Sequence, residues 1–179
     1  MEPSTRRKPS DLIAAIIIGC VFLAAIIQRS HIFGLPASSL EKDVRSDSKI
    51  SDDWTVEGTV SDQMAIYLSY PEDRSDCTYS FYLNRPGLSF GYFFCVGGSV
   101  NKTENFVGEI VINGYTDRAY FSMNQSKVTR AEVSDGSKVE TIEINSDKPF
   151  TLILPVSEEE TITFYDADGN IVETQRDFI

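Results

Sequence analysis

Trp54-Thr-Val-Glu-Gly-Thr-Val-Ser-Asp-Gln-Met-Ala-Ile-Tyr-Leu68 decides the fold class. Trp54, Val56, Gly58 and Val60 alternate with polar residues, and Met64, Ile66 and Leu68 repeat the period. Successive side chains of a strand point to opposite faces, so this period of two reads as strands half-buried against a core. The pattern continues outward. Cys77–Leu83 and Ser89–Val96 flank Asn84-Arg85-Pro86-Gly87, where Pro and Gly favour a turn. Phe106–Ile112 ends at Asn113-Gly114, Ala119–Met123 is short, and Phe150–Leu154 lies between two prolines. Val128–Val133 and Lys138–Ile144 bracket Ser134-Asp135-Gly136-Ser137, and Thr161–Tyr165 and Ile171–Thr174 bracket Asp166-Ala167-Asp168-Gly169-Asn170. About eight to ten short strands without a soluble helix predict an all-β domain over 54–179, an antiparallel β-sandwich or small barrel.

The chain has 179 residues, enough for one such domain with appendages. Its 16 Lys and Arg face 27 Asp and Glu, a net charge of -11. From Ser30 onward the balance is 12 basic to 25 acidic. A nucleic-acid binder needs a basic footprint to displace counterions, so that class of partner is excluded.

Leu12–Ile27 reads Leu-Ile-Ala-Ala-Ile-Ile-Ile-Gly-Cys-Val-Phe-Leu-Ala-Ala-Ile-Ile, without a charge. A helix apolar on every face suits lipid, and the flanks bring the run towards the roughly 20 residues a bilayer span needs. We therefore expect a short cytoplasmic tail at 1–10, a transmembrane anchor and its flank at 11–35, and a flexible stalk at 36–53. Leu40, Val44 and Asp47 mark one weak helical turn within that stalk. A cleaved signal peptide would close on a small-x-small site, and Ile17-Ile-Gly-Cys20 has the outline of a lipoprotein box. Seven apolar residues follow Cys20, which favours the uncleaved anchor. Arg6-Arg7-Lys8 on one side against Arg29 on the other predicts the amino terminus inside and the β-domain outside.

Outside the cell, disulfides persist. A hairpin centred on Pro86 sets Cys77 opposite Cys95, and a bridge there is expected to stabilise by about 3 kcal/mol. The same register puts Tyr79, Phe81 and Phe93 on one face and Tyr82, Phe90, Tyr92 and Phe94 on the other. One face must enter the core. The second, if open, is an aromatic platform for an envelope protein or a glycan; if closed, it lies under a loop.

Catalytic signals fail at the residues that matter. His31 is the one histidine and stands beside the anchor, and Cys95 lies in Phe-Phe-Cys-Val, unlike a sortase motif. Ser122-Met123 opens like a signal-peptidase motif but continues Asn-Gln. Asp166–Asn170 carries oxygen donors at alternate positions but departs from an EF-hand in its Gly and Glu positions, and a tight turn explains it without metal. No cofactor is implied. Asn101-Lys-Thr103 and Asn124-Gln-Ser126 fit the glycosylation sequon.

Gly87-Leu-Ser-Phe-Gly-Tyr-Phe-Phe94, Ser146-Asp-Lys-Pro-Phe150 and Phe164-Tyr-Asp-Ala-Asp-Gly-Asn-Ile-Val172 resemble stretches of small, uncharacterised single-pass membrane proteins of Gram-positive bacteria. The resemblance covers most of the β-domain and implies a location without an activity. The expected function is non-catalytic binding or scaffolding at the cell envelope. The alternative is a membrane-tethered hydrolase with a Ser- or carboxylate-based site.

Overall fold

The computed structural model describes residues 9–29, 33–47, 49–85, 91–100, 105–157 and 159–178, and within the first helix the surroundings of Ile13 and 16–25. That helix, α1, spans Pro9–Arg29. Ile16, Ile17 and Ile18 are 58%, 57% and 65% exposed although they point in three directions, so among the described residues nothing covers the helix there. Among the described residues no helix is long and apolar enough to cross a membrane.

Among the described residues, the β-domain has three four-stranded sheets. β1 (Thr55–Val60), β2 (Met64–Tyr70), β3 (Cys77–Asn84) and β4 (Tyr92–Val100) form the first, in that order. The central sheet comprises β5 (Val107–Val111), β6 (Asp117–Ser122), β9 (Phe150–Pro155) and β12 (Thr174–Phe178), in the order β12-β5-β6-β9. The third comprises β7 (Val128–Ser134), β8 (Val139–Glu143), β10 (Thr161–Asp166) and β11 (Ile171–Val172), in the order β11-β10-β7-β8. All pairings are antiparallel except β12 with β5, which run parallel. The all-β expectation therefore stands.

Alternation along the central strands builds a core on each face. Ile110, Ala119, Phe121 and Met123 pack against Met64, Ile66, Leu68 and Phe81 of the first sheet. Val107, Tyr120 and Phe150, one step out of phase, pack against Val128, Ala131 and Phe164 of the third. A strand buried on both faces loses the polar half of its period, which is why Phe106–Ile112 reads as nearly continuous apolar sequence.

A third cluster corrects the stalk. After a 3-10 turn at Ala37–Ser39, α2 (Leu40–Arg45) lies on the outer face of the first sheet. Leu40 and Val44, four residues apart and so on one helix face, are 0% and 2% exposed against Ala65, Tyr67, Tyr82 and Tyr92. The segment 36–53 is thus docked onto the domain over its first part. Two buried aliphatic side chains and the Tyr82 hydroxyl, which donates to Asp43 Oδ2 at 2.9 Å, offset the ordering cost of the polar sequence.

Candidate binding cleft

Glu109 sits mid-strand in β5, facing the third sheet. Its register partners are Tyr120 on β6 and Arg176 on β12, so three chemically matched side chains form one row across the sheet. Glu109 is 4% exposed. Arg176 donates Nε to its Oε2 at 2.6 Å and Nη2 to its Oε1 at 3.3 Å; Arg118 donates Nη1 to Oε1 at 3.3 Å, and the Tyr120 hydroxyl donates to Oε1 at 3.0 Å. Removing a carboxylate from water is costly unless it is paired and hydrogen-bonded, and here it is both. Burial, reinforced by the Glu109 charge, pushes the Tyr120 phenol well above its ordinary range, and the hydrogen bond from Arg176 to Glu109 raises that guanidinium.

A cleft of about 510 Å³ opens over this row, closed by Glu160, Thr161, Ile162 and Thr174. That volume falls within the roughly 300–1,000 Å³ typical of ligand sites. The Arg118 and Arg176 side chains are 23% and 46% exposed, so each reaches from the buried carboxylate to solvent. Glu160, the second carboxylate of the cleft, accepts the Ser157 N–H on Oε2 at 2.6 Å. Guanidinium donors, hydroxyls and a short apolar wall suit a polar ligand carrying a carboxylate or several hydroxyls. Nothing local in the sequence joins Glu109 to Arg176, which lie 67 positions apart. The one available signal is the charge of Glu109 inside an apolar strand.

The aromatic platform is covered at Tyr82 and Tyr92. Tyr82 and Tyr92 are 2% and 8% exposed beneath α2, where the Tyr92 hydroxyl donates to the Ser61 carbonyl at 2.6 Å. Burial raises both phenols, with the Asp43 hydrogen bond adding to the effect at Tyr82. Phe94 is 58% exposed and meets Tyr82 edge-on at 5.7 Å. Phe90 lies outside the described residues.

The expected bridge is also corrected. Cys77 and Cys95 are both thiols. Cys77 pairs with Val100, and Cys95 is the extra, unpaired residue of a bulge in β4 opposite Phe81 and Tyr82. Five residues of strand, roughly 16 Å, separate Cys95 from Val100, too far for a disulfide. The register slid because the β3–β4 connection is longer than a tight turn about Pro86, and because Tyr79 lies over Gly98 instead of opposing Phe93.

Other candidates have structural tasks. Ser122 Oγ donates to the Phe106 carbonyl and accepts from the Asn124 N–H. Asn124, 3% exposed, donates its amide to the carbonyls of Val128 and Asn145, so it is not presented for glycosylation. Asn101-Lys-Thr103 lies outside the described residues, as does His31. Asp166 Oδ1 accepts the N–H groups of Asp168 and Asn170, and those bonds with the Asn170 amide lower its carboxyl below the usual range. Its turn, with Gly169 at φ 84°, needs no metal. Among the described residues no three His, Cys, Asp or Glu side chains gather as metal ligands. No family model matches the chain, and no curated protein matches its sequence.

Proposed function

We propose that the chain is a single-pass membrane protein, amino terminus inside, which holds its β-domain outside the bilayer as a non-catalytic binding module. The observation that carries this reading is the uncovered apolar surface of α1: Ile13, Ile16, Ile17, Ile18, Val21, Phe22 and Leu23 are each more than half exposed. A helix without a polar face has no use for water, and burying such side chains stabilises by about 1.5–3 kcal/mol each. At 21 residues α1 is about 31 Å long, of which the uncharged run Leu12–Ile27 supplies about 24 Å towards a hydrocarbon core of about 30 Å. The basic cluster at Arg6-Arg7-Lys8 sets the orientation.

The binding half of the reading is supported by the Glu109 cleft, whose arginines supply charge-assisted donors within a strongly acidic domain. The test is alkaline carbonate extraction of membranes, then protease added from outside, then crosslinking to partners on intact membranes. The chain is expected in the pellet, its β-domain cleavable from outside, and its crosslinks weakened by Arg118→Gln. Recovery in the supernatant overturns the anchor. Crosslinks indifferent to Arg118→Gln overturn the assignment of the cleft.

A further inference from the structure

Among the described residues, the outer edge of β4 is paired by Leu35 at its Tyr92 end, and Phe33 two residues earlier also lies in a β-bridge. Leu35 and Tyr92 exchange both backbone hydrogen bonds at 2.8 Å, and among the described residues no strand continues this pairing towards Val100. Tyr92 opposes Asn84 of β3. Outward-facing backbone groups recur at every second ladder position, so the residues opposite Ser80 and Thr78, namely Gly97 and Ser99, also turn their N–H and C=O groups away from β3. All three residues from Gly97 to Ser99 are exposed.

This stretch is hollow on both faces. On the inner face, Tyr79, Gly98, Ser99 and Val100 of the first sheet and Phe106, Gly108, Phe121 and Gln175 of the central sheet region line a groove of about 210 Å³. On the outer face, Thr78, Ser80, Phe94 and Gly97 line a second hollow of about 140 Å³ with Asp47 and Lys49 at its rim. Each is smaller than the roughly 300 Å³ at which small-molecule sites begin, and each suits a single side chain. An added strand would project successive side chains alternately to the two faces, so one edge serves both hollows in register.

We propose that the β4 edge from Val96 to Val100 captures an extended, basic segment of a partner polypeptide as a fifth strand, with an apolar side chain in the inner groove. Two features commit the occupant. The pairing of Leu35 with Tyr92 shows this edge already accepting an extended segment, which the new strand prolongs. The 12 basic and 25 acidic side chains from Ser30 onward repel a second copy of the domain and attract a basic peptide. The proposal deepens the binding reading without using the Glu109 cleft.

The experiment uses the full chain in detergent and the labelled peptide Lys-Thr-Val-Thr-Val-Thr-Lys, followed by fluorescence anisotropy and by hydrogen exchange of the protein. Binding is expected, with slowed exchange confined to 96–100. N-methylation of the peptide amides that face the edge should weaken binding about tenfold or more, since each removes a backbone hydrogen bond. Ser99→Pro, which deletes an outward donor at an edge position that tolerates proline, should do the same. The methylated peptide tests the point without touching the protein, so a misfolded variant cannot mask the result. No binding, protection elsewhere, or indifference to N-methylation overturns the proposal, as does protection of 96–100 by a second copy at high protein concentration. Membrane crosslinks that persist after such a failure leave the binding module standing and remove only its edge.

Discussion

Tyr79 of β3 and Phe121 of β6 stack with centroids 4.7 Å apart and planes at 21°, joining the first sheet to the central one. Each ring also covers the glycine opposite it in its own sheet: Tyr79 pairs with Gly98, and Phe121 with Gly108. A Cβ on Gly108 would stand 2.5 Å from the Phe121 ring, and one on Gly98 would stand 3.1 Å from Tyr79. The glycines let the rings lie flat on the backbone and meet between the sheets. Gly108→Ala is therefore expected to push Phe121 off Tyr79 and cost about 1–3 kcal/mol. The denaturant midpoint should fall with an unchanged slope.

Removing the docked helix contact tests the revised stalk. Leu40→Ala should cost about 2–5 kcal/mol, the range for a fully buried leucine. A free stalk would show no change. Faster exchange at Ala65, Tyr67 and Tyr82 should accompany the loss, because α2 is what covers them.

Glu109→Gln leaves two guanidiniums around a neutral amide. Breaking a buried pair costs about 3–5 kcal/mol, and the exposure of Arg176 brings the expectation down to about 2–3 kcal/mol. The change should loosen β12 first, read as faster exchange at 174–178 with little change in the first sheet.

Buried phenols set the alkaline limit. Tyr67, Tyr70, Tyr82, Tyr92 and Tyr120 all have raised pKa values, with burial as the leading cause. A raised folded value means that the unfolded chain loses its proton first, so this stability is fully present below pH about 10 and lost as pH rises above it. The melting temperature should decline above that pH. Tyr120→Phe should make the decline shallower, at a cost near neutrality of about 1 kcal/mol for the bond to Glu109.

The cysteines give a chemical check on the register. Unfolding the protein in the absence of reductant should expose three titratable thiols. In the folded domain Cys95, raised by burial, should alkylate slowly, and Cys77, 1% exposed, more slowly still. A mass two protons lower, with a tryptic link between the two segments, would restore the bridge.

Strand periods made most of the domain legible, because alternation is local: β1, β2, β7, β8 and β10 all follow from residues near one another in sequence. What escaped was set by distant partners. Leu40 and Val44 do carry helical spacing, but only the open tyrosine face of the first sheet makes that turn worth ordering. The Cys77–Cys95 register depended on a bulge and on Tyr79 preferring Gly98, neither of which leaves a mark in the hairpin's composition. The Glu109 row joins β5, β6 and β12, and only the sheet order brings Arg176 to it. The strand period puts Tyr82 and Tyr92 on one face, as in the structure; their cover lies about 40 to 50 residues upstream.

With α1 in a bilayer, the pairing of Leu35 to Tyr92 turns a supposed tether into a leash. From Arg29 to Leu35 the backbone can reach no further than about 20 Å. Any tilt or pull on the helix then arrives at β4 before the rest of the domain, loading its Tyr92 end in shear. A neighbour zipped alongside that strand would meet the tension where the membrane delivers it.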